Sequence, residues 1–89
     1  MTEQQQWPAI TAELRQLLAE ATGNDAAASL PVDTPLFGAG VGLDSLGGTL
    51  LLRAVRRRYG VDVAAEDLNL DSLANLGTLA AFIGERTRG

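Results

Sequence analysis

The sequence predicts an all-α bundle of three main helices plus one short helix, with a long loop between the first and second. Three observations predict it. Apolar residues recur at helical spacing in three separate segments. Gly, Pro, Asn and Asp punctuate the boundaries between them. Alternating apolar and polar runs, the mark of a half-buried strand, are nearly absent. At 89 residues the chain is expected to form one domain, 1–89. No segment of 20 to 50 residues repeats.

The first helix is expected over about 8–21. Trp7, Ile10, Leu14, Leu17, Leu18 and Ala21 fall on one stripe, and Glu13, Arg15, Gln16 and Glu20 take the other side. Pro8 suits an early helical position, where its missing N–H costs little. Gly23 is the natural left-handed stop. Residues 22–43 then read as a long loop, with Leu36 and Phe37 expected to plug the bundle; loops of that length usually serve a function. The second helix is expected over about 44–59. It opens at Asp44 or Ser45, both favoured N-caps, and closes at Gly60. Its buried stripe is Leu46, Leu51 or Leu52, Val55 and Tyr59. Gly47 and Gly48 in its first turn should leave the backbone accessible. Val61-Asp62-Val63 reads as an extended link. A short third helix is expected over about 71–76 with Asp71 as cap. A last helix over about 78–87 is capped by Thr78 and turns Leu79, Phe82 and Ile83 inward, with fraying from Gly84 onward.

Composition excludes several kinds of chemistry. All seven basic residues are Arg, against eleven Asp and Glu, for a net charge of -4. Without Cys there is no thiolate nucleophile, disulfide or zinc finger. Without His there is no imidazole base, and without Lys no Schiff base or P-loop lysine. The acidic balance argues against a nucleic-acid binder. The run Arg56-Arg57-Arg58 is short and lacks interleaved aromatics. Glu66, Asp67 and Asp44 have no convergent partner that would make an acid–base pair, and no metal site is expected. The N-terminus lacks the basic flank and apolar stretch of a signal peptide. No apolar run is long enough to span a bilayer. A cytoplasmic monomer is the default expectation.

One segment carries chemistry: Gly42-Leu43-Asp44-Ser45-Leu46, where the long loop meets the second helix. It sets a hydroxyl at a helix N-terminus, where free N–H groups and the positive end of the macrodipole favour a phosphate ester. Gly42 allows a sharp entry, and Leu43 and Leu46 can anchor the turn. An Asp-Ser-Leu string is also what an ordinary N-cap looks like. The chain holds its own control in Leu70-Asp71-Ser72-Leu73, read as a plain capping region. Trp7 and Phe37 read as core rather than as an aromatic cage.

Over nearly its whole length the sequence resembles the acyl carrier and peptidyl carrier protein family. The matching parts are Ala12-Glu13-Leu14-Arg15-Gln16-Leu17-Leu18, the loop string Asp33-Thr34-Pro35-Leu36-Phe37, and Gly42-Leu43-Asp44-Ser45-Leu46 opening a helix that ends in Arg58-Tyr59-Gly60-Val61. The chain finishes with Thr78-Leu79-Ala80-Ala81-Phe82-Ile83. The resemblance implies a four-helix carrier bundle with 4′-phosphopantetheine attached covalently to Ser45. The donor would be coenzyme A and the enzyme a phosphopantetheinyl transferase. The terminal thiol of the arm would hold acyl or aminoacyl groups as thioesters, so the chain would be no enzyme itself. By the same resemblance Asp44 would help engage the transferase and its magnesium ion, and Leu46 would dock on the transferase or the bundle. Ser72 does not match the attachment position.

The sequence departs from that family in its second helix. Arg53, Arg56, Arg57 and Arg58 stand where acidic residues are common in fatty-acid carriers. They form either a solvated basic face or a docking face for partners with neutral or acidic surfaces. Thr49 and one exposed leucine, Leu50 or Leu52, would join Arg53, Arg56 and Arg57 there. The Lys-free composition rich in Ala, Gly, Leu and Arg suggests a GC-rich bacterial genome. Together with this helix it points to a freestanding carrier in polyketide or nonribosomal peptide biosynthesis. Its partners would be acyltransferase, ketosynthase or adenylation-type loading enzymes. The rival class is a helical adaptor that is never modified and acts only through protein contacts.

Overall fold

The computed structural model describes residues 7–37 and 40–87. Helix α1 spans Pro8–Thr22, α2 Ser45–Tyr59, α3 Val63–Glu66 and α4 Leu76–Thr87, with 3-10 segments at Asp25–Ser29 and Asp71–Ala74. Among the described residues no strand forms; an isolated antiparallel bridge joins Pro35 and Asn75. The chain is an all-α bundle.

The two long helices begin and end where their punctuation dictates. Pro8 opens α1 and Gly23 closes it in the left-handed region, at φ 69°. Asp44 caps α2 and Gly60 closes it at φ 73°. Helix α1 packs against both α2 and α4. Leu14 and Leu18 of α1, Leu51 and Val55 of α2, and Leu76, Leu79 and Ile83 of α4 are fully buried between them. Burial of side chains of this size, at about 1.5–3 kcal/mol each, drives the assembly.

The long connection is more ordered than a loop. Its first part is the 3-10 segment, capped by Asn24, whose Oδ1 accepts from the Ala26 N–H at 3.0 Å. Ala27 is buried there. Its second part crosses the bundle, held by the Leu36 N–H on the Ala74 carbonyl (3.2 Å), the Gly77 N–H on the Val32 carbonyl (2.9 Å), and Arg15 Nε on the Leu30 carbonyl (2.7 Å). Leu36 is the plug, fully buried. Phe37 is not: it is 41 % exposed, because the adjacent position turns to the outer side of the strap.

The C-terminal half differs from the expectation in four places. Val63 does not end an extended link but opens α3, where the Asp62 side chain accepts from the Ala65 N–H at 3.2 Å. Residues 71–76 are not one helix; the 3-10 segment stops at Ala74. Asp71 is not its cap, since Leu70 takes that place at φ 56° without a side-chain bond, and Asp67 Oδ2 accepts the Ser72 N–H at 2.8 Å. Helix α4 starts two residues before Thr78. The Asn75 side chain accepts the Thr78 N–H at 2.8 Å and the Thr78 hydroxyl accepts the Asn75 N–H at 3.0 Å, the reciprocal pairing of a capping box. The helix does not fray at Gly84, which is buried and continues to Thr87; Phe82 is half-buried rather than fully inward.

Candidate functional site

The turn into α2 is built from Gly42 to Leu46. Gly42 adopts φ 75°, a conformation that side chains with a Cβ rarely adopt. The Leu43 N–H then donates to the Leu36 carbonyl at 3.0 Å, and the Leu43 side chain is buried. The plug and the turn are therefore tied together. Asp44 follows in extended conformation and its Oδ1 accepts from the Gly47 N–H at 2.7 Å. The Asp44 carbonyl receives the Gly48 N–H at 2.9 Å. These bonds start the helix and leave the N–H groups of Ser45 and Leu46 without a helical partner.

Ser45 is the first residue of α2 and is exposed. Its carbonyl accepts from the Thr49 hydroxyl at 2.8 Å, while its own hydroxyl makes no hydrogen bond among the described residues. A solvent-facing hydroxyl at the positive end of a four-turn helix can be esterified, and the helix dipole there favours the resulting phosphate. Ser72 contrasts with it: in the matching Leu-Asp-Ser-Leu string it is 7 % exposed. A groove of about 330 Å³ runs beside Ser45. Its walls are Ala21, Thr22 and Asn24 at the end of α1, Val41 in the strap, and Leu46 and Leu50 on α2. Sequence reading did not bring Thr22, Asn24 or Val41 to this place, since no periodic signal links them to the motif.

Two expectations about the motif are corrected. Leu46 belongs to neither the buried stripe nor the anchor of the turn; it is 68 % exposed, and Leu43 alone anchors. Gly47 and Gly48 do not leave the backbone open, because both are buried. A Cβ on Gly47 would stand 3.1 Å from Asp44 Oδ1 and Leu43 Cδ2, and one on Gly48 would stand 3.4 Å from the Phe37 ring. The small residues make room for neighbours inside the protein. Phe37 thus covers α2 while Trp7 covers α4, so the two aromatics pack on different helices.

Thr49, Leu50, Arg53, Arg56 and Arg57 are all exposed along α2 beyond Ser45, and the three arginines line a shallow hollow. Leu52 is half-buried against the core. Arg58 is engaged elsewhere: with the Tyr59 hydroxyl it donates to the carboxylate of Glu13 on α1. Arg58, and then Tyr59, hold the Glu13 carboxyl below its usual range. Burial, and then the same carboxylate, push the Tyr59 phenol up. Glu66 pairs with Arg86 at 2.6 Å. Asp67 is held low by Ser72, whose backbone N–H it accepts. These acids serve the fold.

A bundle that presents one unpartnered serine hydroxyl at the head of a long helix is the architecture of a carrier. The family described as phosphopantetheine attachment site matches residues 12–83, and the chain belongs to it. No curated protein and no solved structure matches. The prosthetic group of the family is covalent 4′-phosphopantetheine, and its members meet phosphopantetheinyl transferases and the enzymes of their pathways. Among the described residues, no helix is long and apolar enough to cross a membrane.

Proposed function

We propose that Ser45 is the attachment residue and that the chain is a non-catalytic carrier of acyl or aminoacyl groups. The observation that carries the reading is the contrast between two serines in the same tetrapeptide: Ser45 is exposed with a free hydroxyl at the start of α2, and Ser72 is buried. The arm, once attached, supplies a thiol that holds cargo as a thioester. The chain's own residues do the rest. Gly42 and Leu43 fix the turn, Asp44 caps the helix that Ser45 opens, and the Ser45 and Leu46 N–H groups would be available to the ester phosphate. By its family resemblance Asp44 also engages the transferase and its magnesium ion. The pathway we favour is polyketide or nonribosomal peptide biosynthesis, with acyltransferase, ketosynthase or adenylation-type enzymes as partners. The support is the arginine-bearing α2.

The test is intact mass before and after incubation with coenzyme A, magnesium and a broad-specificity phosphopantetheinyl transferase. Wild type and Ser72→Ala should each gain one phosphopantetheine unit, and Ser45→Ala none. No gain in folded wild type would favour an unmodified adaptor that works through protein contacts alone.

A further inference from the structure

The groove beside Ser45 has two unlike walls. On the α1 side stand Thr22 and Asn24; opposite them, Val41 of the strap and Leu46 and Leu50 of α2 supply apolar surface. Leu46 is 68 % exposed and Leu50 40 %, so both keep hydrocarbon in water next to the candidate attachment residue. Among the described residues that line the groove, Asp44 alone is charged, and one of its oxygens is spent on the Gly47 N–H.

Most of the polar wall is spent as well. The Thr22 hydroxyl donates to the Leu18 carbonyl at 2.9 Å and accepts the Asn24 N–H at 3.3 Å. Asn24 Oδ1 accepts the Ala26 N–H at 3.0 Å. That bond fixes which end of the Asn24 amide is oxygen and leaves Nδ2 with two N–H donors. Nδ2 makes no hydrogen bond among the described residues, and Asn24 is exposed. A helix cap needs only the acceptor, which a serine or an aspartate supplies as well. The nitrogen half of the Asn24 amide is therefore surplus to the fold, and it stands in the groove wall.

The prosthetic arm of the family has the chemistry to match these walls. Beyond its phosphate it carries a geminal dimethyl group and a hydroxyl, then two amides, and it ends in a thiol, with no charge past the phosphate. The groove, at about 330 Å³, lies at the low end of the range of about 300–1,000 Å³ for ligand sites, which suits a slender chain. We propose that the arm on Ser45 rests in this groove, along the end of α1 and the strap. Asn24 Nδ2 donates to an arm amide carbonyl, and Val41, Leu46 and Leu50 cover the dimethyl group. The proposal rests on the Ser45 reading. A tether at Ser45 makes the encounter intramolecular, so one hydrogen bond and a few methyl contacts suffice to seat the arm. Asn24 thus has two tasks: its oxygen caps the 3-10 segment and its nitrogen holds the arm.

The test compares nuclear magnetic resonance spectra of isotope-labelled protein before and after arm attachment, with attachment itself read by mass. Attachment is expected to shift the amides of residues 21–24 and the Asn24 side-chain amide. Nuclear Overhauser contacts should join the arm's dimethyl protons to the methyls of Val41 or Leu46. Asn24→Ser keeps a capping oxygen and removes the amide. Checked by circular dichroism and by mass, it should fold and take the arm, yet seat it about fivefold less. The shifts at residues 21–23 should then shrink toward those of its own unmodified form. The proposal is overturned if attachment moves only residues 44–48, which leaves the arm in open water, or if it moves Val61 and Val63 instead. It is equally overturned by shifts of undiminished size in Asn24→Ser. Attachment without the expected shifts sinks the groove alone. No attachment in folded wild type sinks the Ser45 reading, and the groove then has no arm to seat.

Discussion

The indole ring of Trp7 lies directly against Gly84, joining the residue before α1 to the inner face of α4. A Cβ on Gly84 would come within 2.6 Å of Trp7 Cε2, and real Cβ atoms do not approach so closely. Glycine inside a helix costs about 1 kcal/mol relative to alanine, so a Gly84→Ala change should gain helix propensity. It should nonetheless lose more, because overpacking of a rigid ring costs about 1–3 kcal/mol. The expected outcome is net destabilisation of up to about 2 kcal/mol in urea melts. Stabilisation instead would mean the ring moves aside freely.

Leu36 and Phe37 separate the two sides of the strap. Leu36→Ala should cost about 2–4 kcal/mol, since it empties a fully buried site, and it should loosen Leu43, whose N–H is held by the Leu36 carbonyl. Phe37→Ala should cost less than half as much. Denaturant midpoints of the two variants decide the order. A larger loss for Phe37 would overturn the assignment of the plug.

The same pair shows how far the sequence could be read. The long helices were legible because each carries periodic apolar residues and strong end signals: Pro8 and Gly23, Asp44 and Gly60. The candidate Ser45 was legible because a short string sits at one of those ends. Helix α3 was not, since four residues hold too little of a helical period to register. Asp67, rather than Asp71, serves Ser72 because Leu70 turns the chain at positive φ, which no side-chain pattern announces. Burial of Gly48 and Gly84 depends on rings distant in sequence, so it appears only once the fold brings Phe37 and Trp7 against them.

The contact of Glu13 with Arg58 and Tyr59 sets two pH limits. The folded Glu13 carboxyl lies below its ordinary value of 4.5. Below that value the unfolded chain takes up the proton first, so stability falls as pH drops through the folded value. Asp67 is lowered in the same sense, so Glu13→Gln should flatten the acid limb only in part. The folded Tyr59 phenol lies above its ordinary 10.0. Stability should therefore fall as pH rises beyond about 10, where the unfolded chain ionises first. Tyr59→Phe should remove that alkaline limb. Urea midpoints across pH would check both, and an alkaline limb unchanged in Tyr59→Phe would contradict the assignment.

Gly47 and Gly48 stand side by side yet should respond differently to a methyl group. At Gly48 the added Cβ meets only the ring edge of Phe37 at 3.4 Å, and that ring is partly exposed and free to yield. Gly48→Ala should therefore stabilise α2 by up to about 1 kcal/mol through helix propensity. At Gly47 the Cβ stands 3.1 Å from both Asp44 Oδ1 and Leu43 Cδ2. It presses on the carboxylate that caps the helix and on the side chain that anchors the turn, and loss of such a cap costs about 1 kcal/mol. Gly47→Ala should thus gain nothing in stability, and it should slow arm attachment by displacing the turn that presents Ser45. Thermal melts and the rate of mass gain with the transferase would separate the two. If Gly47→Ala were stabilising and attached its arm at the wild-type rate, the cap of Asp44 would not be what holds Ser45 in position.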